Sequence, residues 1–181
     1  MFSKILVRLI DQSITPAILL MAARIVSIIL LSNSRGIPFN FDINGFTFSS
    51  TEDYVFLNSY STLIMMGALV VGLVYVLLKA YVFHDSHISP RVTANLFAVR
   101  LSNLIQSSYD LYTQGSIWLS FMFFMVLSSG FMAAFGLLYF WVFYTSLALL
   151  LVMLVLFILD IENEIKLPTK PTWSVEENEN E

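Results

Sequence analysis

SIWLSFMFFMVLSSGFMAAFGLLYFWVFYTSLALLLVMLVLFILD, residues 116–160, decides the fold, because no charged residue occurs between Ser116 and Leu159. As one helix this run would be roughly 65 Å long, about twice the hydrocarbon thickness of a bilayer. It therefore reads as two membrane spans joined by a tight turn. Ser128-Ser129-Gly130 offers one place for that turn, but breaking there leaves a third span of only about 12 residues, too short to cross. A turn near residues 136–140 gives spans of about 116–136 and 140–159. It also gathers Tyr139, Trp141 and Tyr144 at one interface, as an aromatic belt requires. Ser129, Gly130, Ala133 and Ala134 then become a close-packing patch inside the third span.

Composition agrees with a lipid environment. The 181 residues are 57% hydrophobic and 12% charged, whereas soluble domains carry about 25% charged residues. The absence of cysteine excludes disulfides, thiolate metal sites and thiol catalysis. From Asp160 onward seven carboxylates face two lysines, a net −5, so residues 1–159 carry +1. The acidity is a tail, residues 161–181, read as solvated and disordered on the cytoplasmic side. No basic patch supports a nucleic-acid role.

Working toward the N-terminus, residues 90–112 read as an amphipathic cytoplasmic helix opened by Ser89-Pro90, too polar to span. Before it, His84 and His87 flank Asp85. A metal site needs three or four ligands, and these are the only histidines, so no metal and no cofactor are expected. The second span is read over 54–78, with Ser49-x-x-Glu52 and Ser50-x-x-Asp53 as a capping box. Its first turns are polar (Asn58, Ser59, Ser61, Thr62), and Ala68 with Gly72 forms a small-xxx-small pair for close helix packing.

Residues 38–50 read as an extracytoplasmic β-hairpin around Asn44-Gly45, the strongest short-range hairpin signal. A two-residue turn there opposes Ile43 to Phe46 and Phe41 to Phe48. Phe41, Ile43, Phe46 and Phe48 then form one apolar face, a candidate surface for a protein partner or for the membrane interface.

The first span is read over 13–31, with Ser13 as N-cap and Pro16 in the first turn. Residues 1–12 precede it as a short amphipathic segment in the headgroup plane. Arg24 is the one charge deep inside any expected span. An ionisable group at that depth is a site by default, structural or functional, and needs partners. Asn58, Ser61 and Thr62 enter from the same side at a similar depth, and carbonyls near Gly136 are within reach of that level. Arg24 is expected to donate to this cluster.

Lys and Arg sort seven to one between the two sides of a four-span chain, which places both termini in the cytoplasm of a plasma or inner membrane. Arg8 and Asp11 ahead of the first span resemble the start of RDD-type small membrane proteins. That family's closing acidic signature is missing from 140–160, and no family is assigned. No nucleotide-binding, protease or zinc-hydrolase motif occurs. The expectation is therefore an all-α integral membrane protein of four transmembrane helices that is not an enzyme. It would be a structural or assembly subunit contacting lipid and a protein partner or a second copy. The alternative is a small transporter or channel subunit with Arg24 near a midplane polar site.

Overall fold

The structure is a computed structural model that describes residues 2–42, 45–83, 95, 97–99 and 108–165. Among them are four long helices and one hairpin: α1 (Phe2–Arg35), β1 (Phe39–Asp42), β2 (Gly45–Phe48), α2 (Thr51–Phe83), α3 (Ser108–Ala134) and α4 (Phe140–Ile165). All four helices are long and apolar enough to cross a membrane, over Leu6–Arg35, Thr51–Lys79, Tyr112–Ala134 and Phe140–Glu162. The chain is thus compatible with a multi-pass membrane protein.

Two helix ends are written by glycine. At the end of α3 the Gly136 N–H donates to Ala133 O at 3.0 Å and the Leu137 N–H to Met132 O at 2.9 Å, with Gly136 at φ +71°. These are the two bonds of a Schellman cap, and they stop the helix where a left-handed residue costs least. Gly36 repeats the arrangement at the end of α1, with φ +64° and the Ile37 N–H on Ser32 O at 3.0 Å. The turn between the last two spans therefore occupies 135–139. Ser128-Ser129-Gly130 stays helical, and the Ser129 hydroxyl donates to Val126 O at 2.8 Å within the helix.

Three sequence expectations need revision. The first concerns α1, which is continuous from Phe2, so residues 2–12 form no segment separate from the first span and Ser13 is no N-cap. The Ser13 hydroxyl instead donates to Ile10 O at 2.8 Å. Pro16 lies inside the helix and is fully buried. In lipid a continuous helix is the arrangement that keeps the remaining backbone groups paired, so one lost N–H is tolerated.

The second concerns the hairpin, which pairs Phe39 with Phe48, Asn40 with Thr47, Phe41 with Phe46 and Asp42 with Gly45. The turn is thus displaced to Ile43-Asn44, which lie outside the described residues, so Ile43 is not shown on the apolar face. The strands have slipped by two residues, which keeps every position on its face while replacing an Ile–Phe pair by Phe39–Phe48. The Phe39 and Phe46 rings lie 5.8 Å apart, and Phe48 lies 6.0 Å from Tyr54 on α2.

The third concerns α3, which begins at Ser108, so residues 108–112 belong to the third long helix, whose apolar stretch runs over Tyr112–Ala134. Most of the expected amphipathic helix 90–112, the histidine segment and the tail beyond Ile165 lie outside the described residues. Of the two capping options at α2, Ser50 is the one used. Its Oγ accepts the Glu52 N–H at 3.2 Å, one residue before the helix starts.

The helices run alternately up and down. Arg8 near the start of α1 stacks over Tyr109 at the start of α3, and Tyr112 meets Phe157 near the end of α4. At the other end Tyr60 meets Trp141. The described start of α1 and end of α4 consequently share one end of the bundle, and the hairpin and the α3–α4 turn share the other. α2 is the central helix, packed against α1, α3, α4 and β2. Its Met66, Leu69 and Leu73 are fully buried in a core completed by Leu20, Trp118, Met122, Val126 and Met153. Elsewhere the helices present apolar side chains outward, such as Met21 (67% exposed), Val71 (70%) and Phe131 (61%), as lipid-facing helices do.

Candidate functional site

Arg24 of α1 and the polar first turns of α2 come together toward the hairpin end of the bundle. Arg24 lies eleven residues before the end of its span at Arg35, which places it about 16 Å below that end and roughly 5 Å from the middle of the span. The guanidinium is half-buried and donates from Nη1 to Ser61 Oγ and from Nη2 to Asn58 Oδ1, the latter at 2.7 Å. α1 and α2 are thereby joined at that level.

Asn58 (2% exposed) is the hub. Its Nδ2 donates to Leu137 O in the α3–α4 turn at 2.7 Å and lies 3.6 Å from Met132 Sδ. The amide orientation follows from its neighbours: arginine can only donate and a backbone carbonyl can only accept. The Asn58 backbone carbonyl accepts the hydroxyls of Ser61 at 3.1 Å and Thr62 at 2.7 Å. Because Ser61 spends its proton on that carbonyl, its oxygen is free to accept from Arg24. Next to Asn58, Ser59 Oγ accepts the Tyr139 N–H at 2.9 Å. Two successive residues of α2 thus hold the turn between the last two spans, one at a carbonyl and one at an N–H.

Of the expected cluster, Asn58 and Ser61 touch Arg24, whereas Thr62 only returns its proton to its own helix. The carbonyl near Gly136 is bonded by Asn58 rather than by Arg24, which stops short of the turn. Sequence reasoning did not single out Ser59. Its one signal was a hydroxyl in the polar first turns of an otherwise apolar span. The Leu137 carbonyl has no signal in the sequence, since every residue carries one.

Small residues serve side chains here more than backbones. A Cβ on Gly72 would overlap the six-membered ring of Trp118, so the glycine is the hole into which α3 inserts an indole. Gly115, unmarked in the sequence reading, receives Phe157 in the same way. Gly130 lies 3.1 Å from Phe143 by the same measure, Ser129 and Ala133 are buried, and Ala134 faces outward. Ala68 is half-buried.

A cavity of about 220 Å³ adjoins the network, lined by Arg24, Asn58, Thr62, Ser128 and Ser129 together with three methionines. At the hairpin end an aromatic ladder leads outward. Arg35 lies over Phe56 at 4.6 Å, Phe56 is 4.6 Å from Tyr60, and Tyr60 is 5.8 Å from Trp141. Among the described residues no three His, Cys, Asp or Glu side chains come together to hold a metal ion. No family model, curated protein or solved structure matches the chain.

Proposed function

We propose that the chain is a non-catalytic structural or assembly subunit of a membrane complex. Both termini would lie in the cytoplasm of a plasma or inner membrane, and the hairpin outside. The observation that carries this reading is the use made of the polar groups within the spans. Arg24, Asn58, Ser59 and Ser61 bond to one another and to the α3–α4 turn, and so fix the arrangement of helices. A transport path would present such groups toward a continuous lumen instead. α1 supplies a face for a partner. Ile14, Ile18, Met21 and Ile25 recur at spacings of three and four and are all exposed, with Met21 the most so. The seven-to-one division of Lys and Arg supports the orientation.

The test is photo-crosslinking in the native membrane from Ile18 and Met21, with Val155 on α4 as the comparison site. A discrete crosslinked product from the α1 positions, absent from Val155, is expected, and mass spectrometry of it identifies a second copy or another protein. Lipid adducts alone at all three sites would defeat the subunit reading. The cavity beside Arg24 favours a second reading, a small transporter or channel subunit. There Arg24→Leu abolishes a flux without lowering the amount of folded protein.

A further inference from the structure

Arg24 holds a full positive charge near the middle of a membrane helix, and among the described residues it makes no ion pair. Its two hydrogen bonds, to Ser61 and Asn58, are to neutral acceptors. Of the five N–H donors a guanidinium carries, three therefore have no acceptor there. The cavity of about 220 Å³ opens beside this group. Ser128 also lines it, an exposed residue whose hydroxyl has no bonding partner among the described residues, in contrast to Ser129.

We propose that this cavity binds a small monovalent anion, of halide size, as the counter-charge of Arg24. Four lines of physical reasoning select that ligand. A charge in lipid costs several kcal/mol unless it is paired, and water, which can satisfy hydrogen bonds, cannot neutralise it. The unpartnered groups are the Arg24 N–H donors and a hydroxyl that can donate, while the lining holds no carboxylate, which excludes a cation. The volume admits a small ion with several waters. The depth of Arg24, roughly 16 Å below the span's end, lies beneath the headgroup layer, so the anion comes from solution rather than from a lipid phosphate. This inference does not depend on the subunit reading, since either a static joint or a transport site can hold such an ion.

The test is thermal unfolding of the full chain in nanodiscs of phosphatidylcholine, followed by tryptophan fluorescence. Bromide replaces gluconate, an anion too large for the cavity, at constant ionic strength. A saturable rise in Tm is expected, of roughly 5–10 °C once bromide exceeds its dissociation constant a hundredfold. Ser128→Leu fills the cavity and leaves the Arg24 bonds in place, and Arg24→Leu removes the charge. Both should lose the rise, and Arg24→Leu alone suffices where Ser128→Leu does not fold. The proposal is overturned if the parent shows no saturable rise, or if Arg24→Leu responds as the parent does. It is equally overturned if phosphatidylglycerol without bromide reproduces the whole shift, which would assign the anion to a lipid headgroup.

Discussion

Replacing Asn58 by leucine should cost stability on the order of 3 kcal/mol, more than replacing the charge that Asn58 serves. Asn58 Oδ1 accepts from Arg24 and its Nδ2 donates to the Leu137 carbonyl, both at 2.7 Å. Leucine at this position leaves a guanidinium N–H and a turn carbonyl without their partner, and a lost bond to a charged group is worth more than one between neutral groups. Arg24→Leu removes the charge along with its desolvation cost and leaves only neutral acceptors behind. It should lie within about 1 kcal/mol of the parent. The order of the two effects is the informative part, and a third variant sharpens it. Adding Arg24→Leu to Asn58→Leu should restore part of the stability lost, because the orphaned charge is gone. Unfolding in nanodiscs, measured for all three, checks this. If Asn58→Leu is as stable as the parent, the network does not hold the helices together.

The second large effect is steric. Gly72→Ala puts a methyl group into the Trp118 ring, with Cε3 at 2.7 Å and two further ring atoms nearer still. Trp118 is itself buried at 8% exposure within the four-helix core, so it has little room to move. Overpacking of this kind costs about 1–3 kcal/mol. Gly72→Leu should prevent α2 and α3 from packing and reduce the yield of folded protein. Trp118→Leu on its own opens a void, yet combined with Gly72→Ala it should cost less than the sum of the two single changes. Strict additivity in that cycle would show that the glycine does not house the ring.

The extent to which these features were legible in the sequence follows from what drives each. A charge in a span demands partners, and polar residues entering from the same side are few, so Arg24 could be matched with Asn58 and Ser61 from depth alone. The turn between the last two spans was readable from bilayer thickness, which leaves room for a break near 136 and none at 130. The hairpin pairing was not. A slip of two residues keeps Phe41, Phe46 and Phe48 on one face, so hydrophobic alternation cannot tell the two pairings apart. The boundary at residue 13 failed because Pro16 and Ser13 give soluble-protein helix-start signals, whereas lipid favours continuing the helix through them. Gly72 was marked as a packing position, but whether a small residue meets a backbone or an indole depends on the neighbouring helix, which local sequence does not contain. The same holds for Gly115 and for the Leu137 carbonyl.

The orientation proposed for the chain is that of four antiparallel spans, with the hairpin across the membrane from both termini. It is tested most directly by labelling single cysteines in intact cells, since the chain has none of its own. Asn44→Cys in the hairpin turn and Ser174→Cys in the tail are treated with a membrane-impermeant thiol reagent, before and after permeabilisation. The four-span account predicts that Asn44→Cys reacts in intact cells and that Ser174→Cys reacts only once the membrane is opened. Reaction of both positions in intact cells would place the hairpin and the tail on the same side, and would contradict it.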